Sequence, residues 1–382
     1  MKTLPAPKTD FIGLDGIANL SSGGQPPLLQ AHREAFERFA LDKAAGMSGY
    51  FTHWAVADRV REKLARLVSL APDEIALLGN ASEGIGRVIS SVDWAPGDNV
   101  VTSEIDYASG RFALAQLAQR GVEPRLVPTR DWYIDPQAIL DACDANTRLV
   151  YLSHVNAHTG QRIDLDALSG PLAERGILFL VDASHSLGVI PVDARKCDFL
   201  VSCTYKFLMG PHIGVLAWNK ARWPRFEPVS AGRFSAKDTP DPGKYALLDS
   251  ARRAEAGNVN HISVYMLEQS LDYLAQFSAS ELEAHVLHLG QQIWDGMNDL
   301  GCRIITPRAE GERGPNVCML TKAPKALTEL AAQQNILVWG DSHRLRTSLH
   351  AFSTRDDVAR FLEWLPHGLK QVDGTEENAL WL

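Results

Sequence analysis

Two residues of this chain, Asp182 and Lys206, have the types and the spacing for chemistry on a carbonyl cofactor. Lys206 lies in the run Ser202-Cys203-Thr204-Tyr205-Lys206-Phe207-Leu208-Met209-Gly210-Pro211. An apolar stretch, 198–201, precedes it, and a Gly-Pro turn and a second apolar stretch, 214–218, follow. A lysine so placed belongs at the mouth of a sheet, not on a solvated helix face. Asp182 ends another apolar run, 177–181, one strand–helix–strand unit upstream. A primary amine in that position can form a Schiff base. A carboxylate beside it can keep a heteroaromatic nitrogen protonated, so the ring draws electrons. These are the two protein groups that pyridoxal phosphate (PLP) most needs.

Other polar residues fall at the ends of apolar runs, where open parallel sheets bind ligands. Gly79-Asn80-Ala81-Ser82-Glu83-Gly84 follows the first run. Small residues let a phosphate approach the backbone, and Ala81 and Ser82 stand where a helix N-terminus would meet it. A plain N-cap serine is the competing reading. Ser103-Glu104-Ile105-Asp106-Tyr107 offers an aromatic, Tyr107, that can stack on a cofactor ring or simply pack in a core. In Ser153-His154-Val155-Asn156-Ala157-His158-Thr159-Gly160 two histidines stand four apart. The central Glu of a zinc HExxH helix is missing and Gly160 argues for a loop, so no metal is expected. Asn156 reads as a donor to a phenolate oxygen. His185, in Asp182-Ala183-Ser184-His185, is placed to touch the same ring; alone, Asp182 could equally be an N-cap.

Strands near 75–79, 99–103, 124–128, 148–153, 177–181, 198–202 and 214–218 must position these groups. Amphipathic helices near 82–92, 110–120, 136–143 and 164–175 separate most of them. That alternation predicts an α/β fold with a mostly parallel seven-stranded sheet covered on both faces. The tight Gly-Pro turn between the last two strands predicts one antiparallel edge strand. Residues 219–250 read as loop. Helices over 261–277, 280–300 and 355–365, with strands at 303–306, 317–320 and 336–339, predict a smaller α+β domain. The N-terminal 60 residues read as irregular with one helix near 30–41. The expected division is an N-terminal segment 1–20 that joins the small domain, a large PLP-binding domain 21–250 and a small C-terminal domain 251–382.

A chain of 382 residues is long enough for that two-domain plan. Its net charge of −8 disfavours non-specific nucleic-acid binding. The absence of a long apolar stretch or a signal pattern gives the expectation of no membrane partner and a cytoplasmic location. Five dispersed cysteines without CxxC pairs read as free thiols.

These motifs, in this order, resemble the fold-type I PLP enzymes of the class V aminotransferase family, which includes cysteine desulfurases, isopenicillin N epimerase and kynureninase. The resemblance spans about residues 15–365 and extends to Arg346-Thr347-Ser348. It implies that Lys206 is the Schiff-base lysine and proton carrier. Asp182 would pair with the pyridinium nitrogen, Tyr107 would stack on the ring, and Asn156 and His185 would lie near the phenolate or ring. Ala81, Ser82, Cys203 and Tyr205 would line the phosphate. Arg346 would grip the substrate carboxylate, a task that suits a bidentate guanidinium. Asn258 stands where the family has a threonine that reaches the neighbouring subunit's phosphate.

The resemblance also implies a homodimer with shared sites and a small amino-acid substrate. The desulfurase cysteine is missing from Val338-Trp339-Gly340-Asp341-Ser342-His343, and Cys318 comes too early to replace it. Transamination is the first expectation, then β-elimination, then epimerisation. A nicotinamide oxidoreductase would need GxGxxG after its first strand, and Gly79 to Gly86 lacks that spacing. A non-catalytic binding module would be expected to have lost the lysine or the aspartate. His53, Trp54 and Arg111 are further candidates to face the substrate, as is the loop Arg313-Gly314-Pro315-Asn316, which reads equally as a surface turn.

Overall fold

The computed structural model describes residues 2–241 and 243–375. After β1 (Ala18–Asn19) come helices α1 (Ala31–Ala44) and α2 (Met47–Val68). The central layer then runs β2 (Ile75–Leu78), α3 (Ala81–Ser90), β3 (Asn99–Ser103), α4 (Ala108–Ala115), β4 (Glu123–Val127), α5 (Pro136–Asp141) and β5 (Thr147–Ser153). It ends with α6 (Leu165–Glu174), β6 (Leu178–Asp182), β7 (Phe199–Cys203) and β8 (Gly214–Trp218).

These seven strands form one sheet in the order β2-β8-β7-β6-β5-β3-β4. Successive side chains of a strand point to opposite faces. Leu149 and Tyr151 accordingly enter one core with Ile85 and Leu114 of the helices, while Val150 and Leu152 enter the other with Leu168. Burial on both faces is why β6 and β7 read as unbroken apolar runs.

The antiparallel strand is not at the edge. β8 lies between β7 and β2 and is antiparallel to both, which leaves β2 as the edge. A short turn can only return the chain antiparallel, but it does not forbid another strand from adding outside. Gly214, the first residue of β8, passes so close to the start of α3 that a Cβ there would stand 2.3 Å from the Asn80 carbonyl carbon. The turn after Lys206 and the first turn of α3 are thereby pressed together.

The rest of the chain comprises the hairpin β9 (Ala236–Asp238) and β10 (Tyr245–Leu247), helices α7 (His261–Leu274) and α8 (Ala279–Asp299), β11 (Asn316–Leu320), α9 (Pro324–Ala332), β12 (Ile336–Leu337), β13 (Trp339–Asp341), β14 (Arg344–Ser348) and α10 (Arg355–Gln371). β11, β14 and β13 form an antiparallel sheet with β14 central. The N-terminal strand β1 pairs with β12, and Ser21 bridges to Ser348.

Several elements differ from expectation. The N-terminal region holds a second helix, α2, of 22 residues. Gly49 lowers its helix propensity, yet a Cβ at Gly49 would fall 1.5 Å from the Asp42 carbonyl oxygen of α1. The glycine that weakens the pattern is what lets the two helices touch. The 219–250 segment contains the β9–β10 hairpin. The strand expected at 303–306 is reduced to a single bridge, Ile304 to Met319. Neither α9 nor β14 was expected. β14 escapes the alternation rule because all five of its residues are buried, arginines included.

Candidate active site

The parallel strands deliver their polar ends to one edge of the sheet. Asp182, the last residue of β6, registers beside Ser153 at the end of β5. Its Oδ1 accepts from the Ser184 amide at 2.8 Å, and its Oδ2 accepts only a long 3.4 Å bond from the Tyr151 hydroxyl. That leaves acceptor capacity on the carboxylate for a ligand. Ser184 in turn receives the Cys203 amide at 3.0 Å, which ties the end of β7 to the turn after β6.

Lys206 follows β7 by three residues and is buried. Its Nζ lies 3.1 Å from His185 Nε2 and 5.2 Å from the centre of the Tyr107 ring. The other imidazole nitrogen, Nδ1, is 3.2 Å from the Asn316 side-chain amide. Burial, and then the neighbouring Lys206 and the two arginines 346 and 344, hold the His185 pKa well below its ordinary value. The ring is therefore a neutral partner for the amine. Tyr205 stacks on His212 with centroids 4.2 Å apart.

Below Tyr107 lies Asp106, fully buried. Its carboxylate accepts from the Ser153 hydroxyl at 2.5 Å, the Ser153 amide at 3.0 Å and the Tyr107 amide at 2.7 Å. Burial pushes its pKa up to about 6, with the Asp182 charge adding to the rise. On the far side, Ser82 at the start of α3 donates to Ser109 of α4 at 2.8 Å. Asn80 caps α3 by accepting from the Glu83 amide. An inner cavity is lined by Ala81, Ser82, Tyr107, Asp182, His185, Cys203, Tyr205 and Lys206 among others.

An outer cavity of about 270 Å³ continues from Lys206 toward solvent. Arg344 and Arg346 of β14 share a face, as residues two apart on a strand must. Each donates from Nη1 to the Ala157 carbonyl, at 3.1 and 3.0 Å. Arg344 is also paired with Asp341 at 2.8 Å. Burial and the adjacent Arg344 bring the Arg346 pKa down to about 10, so it remains a cation at neutral pH. Arg111, Gly23, Gly24 and Trp339 complete the walls.

The structure therefore brings together nine of the expected residues. Two lie elsewhere. Asn156 is outside the cavity lining: its amide nitrogen donates to the Ile105 carbonyl at 3.1 Å, and its oxygen accepts from the His158 and Thr159 amides. These bonds hold its own loop and use one of the two N–H groups of the amide. Asn258 meets the Tyr50 hydroxyl at 3.0 Å on an exposed face, away from this cavity. His53 is buried against Tyr265 and stacks on His261, and Trp54 packs on Phe234; of the three further candidates only Arg111 reaches the cavity. Arg313 is fully buried instead of lying on a surface turn.

Arg344, Asp106 and Ser153 were given no role. For Arg344 the signal was available, since a strand that aims Arg346 inward aims the residue two before it the same way. Of the candidate loop 313–316, Asn316 reaches the site through His185, a contact between residues 131 apart in sequence.

The residues present fit PLP. Lys206 supplies the amine, Asp182 the under-used acceptor, the N-terminus of α3 a place for phosphate, and Tyr107 an aromatic face. The sequence profile of the class-V aminotransferases matches residues 28–361. The chain belongs to the class-V aminotransferase family, and it is a PLP-dependent enzyme. It is 29% identical over 272 residues to a probable cysteine desulfurase of Methanothermobacter thermautotrophicus, which covers 70% of this chain and 68% of that one. It is 29% identical over 301 residues to a kynureninase of Burkholderia mallei, covering 72% and 68%. The fold is shared with the apo cysteine desulfurase of Thermococcus onnurineus NA1 (TM-score 0.89, 20% identity, 97% and 99% covered). It is also shared with the cystine C–S lyase C-DES solved with its product cysteine persulfide (TM-score 0.85, 20% identity, 93% and 98% covered). Among the described residues no helix is long and apolar enough to cross a membrane.

Proposed function

We propose that the protein is a PLP-dependent lyase that eliminates a leaving group, such as sulfur, from Cβ of a small amino acid. The observation that carries this reading is the outer cavity. It sets the Lys206 amine and the Arg346 guanidinium around one space, and no thiol lines it among the described residues. Desulfuration through a protein persulfide needs a cysteine near the substrate; the turn between β13 and β14 is only Ser342-His343. Cys318 is buried on β11, where burial raises its thiol pKa. Relatives named as desulfurases, a kynureninase and a C–S lyase favour bond cleavage over the amino transfer that the motifs first suggested.

Bound PLP supplies an electron sink for charge developing at Cα. In this reading Lys206 carries the amine that binds the cofactor and then takes the proton from Cα. Neutral His185, 3.1 Å from that amine, orients it through a hydrogen bond without adding a charge to the site. Asp182 would pair with the pyridine nitrogen. Ala81, Ser82, Cys203 and Tyr205 would hold the phosphate, Tyr107 would stack on the ring and Arg346 would hold the substrate carboxylate. The departing group would take the electron pair of the Cβ bond with it, and the enamine left by loss of that group and of the Cα proton would take up water to give a 2-oxo acid and ammonia. The half-exposed Tyr107 and the exposed Phe112 at the mouth of the site support a homodimer in which a second copy covers them. Asn258, away from this protomer's cavity, is then available to the neighbour's site. Within the expected division 1–20, 21–250 and 251–382 we assign residues 2–20 and 251–375 to the small domain and the described residues of 21–250 to the PLP-binding domain; residues 1, 242 and 376–382 lie outside the described residues.

The test is the visible spectrum of the holoenzyme with cysteine, cystine, serine and alanine, with product analysis. Release of pyruvate, with sulfide or persulfide from the sulfur compounds, while the cofactor keeps its form supports elimination. Stoichiometric conversion of the cofactor to pyridoxamine phosphate without pyruvate turnover would establish transamination instead.

A further inference from the structure

We propose that the substrate carries a second anionic group on its side chain, and that Arg111, which lines the same cavity as Arg346, binds it. The inference rests on the amino-acid reading of the site given above, and goes beyond it by naming the substrate class.

The charges lining the outer cavity are unbalanced. Four side chains there are cationic by type, Lys206, Arg111, Arg344 and Arg346, and one is acidic, Asp341. Asp341 is paired with Arg344 at 2.8 Å and also accepts from Trp339 Nε1 at 2.9 Å, so it is fully committed. Lys206 is committed to the cofactor. Arg346 and Arg111 remain, and among the described residues no carboxylate pairs with either. An amino acid brings one carboxylate, which satisfies Arg346 and leaves Arg111.

Arg111 is held for such a task. It sits on α4, one turn after Tyr107, and its Nε donates to the Asp106 carbonyl at 2.9 Å. That bond fixes the stem of the guanidinium and leaves its two Nη groups for a ligand. Arg346 stands on β14, so the two guanidiniums come from different elements. They nevertheless act on one space: Arg344, Arg346 and Arg111 all add to the burial that keeps His158 neutral. Concentrating like charges around a partly closed cavity costs free energy in the empty protein, and a ligand with two anions relieves it. A guanidinium fork matches a carboxylate or a sulfur oxyanion.

The experiment compares isosteres that differ by one charge. The purified holoenzyme is titrated with aspartate against asparagine and glutamate against glutamine, with alanine as reference, following the cofactor absorbance. The acid of at least one pair is expected to half-saturate at a concentration about tenfold to a hundredfold lower than its amide, the span of one charge-assisted hydrogen bond. Arg111→Gln should bring that ratio close to one, and Arg111→Glu should invert it. The circular dichroism and cofactor content of both variants establish that they fold. Equal affinities in the wild type, or a preference that survives in Arg111→Gln, overturn the inference and leave the lyase reading standing. No spectral response to any amino acid overturns both.

Discussion

The inner and outer halves of the cleft are built in opposite ways. The inner half is assembled from strand ends of one parallel sheet, and each residue is delivered by its own short motif. Asp182 and Lys206 are fixed by the register of β5, β6 and β7 and by the Ser184 bond that ties β6 to β7. The outer half is assembled by convergence. Gly23 comes from the N-terminal segment, Arg111 from α4, and Arg344 and Arg346 from an antiparallel sheet late in the chain. One half reuses the general property of α/β sheets, that ligands lie beyond the carboxyl ends of the strands. The other is where this chain departs from a generic pattern. In the proposed function, cofactor chemistry belongs to the first half and substrate choice to the second.

That division can be broken at either end. The largest effect is expected at Lys206. Lys206→Ala should lower kcat by about 10²- to 10⁴-fold, the range of a lost acid–base group, with the protein still folded. Stopped-flow turnover checks it, and a variant with near wild-type kcat would remove the inner half from the chemistry. A smaller loss is expected at Arg346. Arg346→Gln should lower kcat/KM by about tenfold to a hundredfold, mostly through KM, while cofactor content stays full. Loss of the cofactor from this variant would show that the halves are not separable.

The smallest effect per group concerns the buried imidazoles. Burial holds His32 at about 4, His154 at about 3, His158 at about 2 and His350 at about 4. All four are neutral when folded and take a proton near pH 6.5 when unfolded. The unfolded state then binds more protons, so their contribution is complete above pH 6.5 and is lost as pH falls toward 4. Each costs roughly 1.4 kcal/mol per pH unit in that window. Asp106, raised to about 6, works in the opposite direction, since its folded form keeps a proton that the unfolded one has released. Four groups against one leave a net fall. Urea midpoints should drop from pH 7 to pH 5, and His158→Gln should flatten the slope by one group's share. A flat profile would contradict the burial of these rings.

Legibility followed the same division. All seven strands of the large sheet, and the lysine and aspartate at its edge, were readable because apolar runs of five residues bounded by polar ends have few other interpretations. The position of β8 inside the sheet was not, because a turn specifies the direction of a strand and not its neighbours. Helix α2 was hidden by Gly49, whose use is tertiary. β14 was hidden because Arg344-Leu345-Arg346 looks solvated until the walls around it are known. Asn316 contacts His185 across 131 residues of chain, a pairing that no local pattern specifies. The hydrogen bonds of Asn156 to its own loop and to the Ile105 carbonyl were not legible either, because they depend on how residues 156–159 turn and on the approach of the segment after β3.

The N-terminal segment described above has a further consequence. The Ser348 amide donates to the Leu20 carbonyl at 2.6 Å, and Gly24, a few residues on, lines the outer cavity. The opening residues thus form a strap across the same strand that carries Arg346. A molecule lodged in the cavity leans on both, so its binding energy is shared with the closure of the strap. Proteolytic nicking or hydrogen exchange near residues 20–24 would therefore slow when substrate is present, making the start of the chain a reporter of occupancy at a site one wall of which is built near its end.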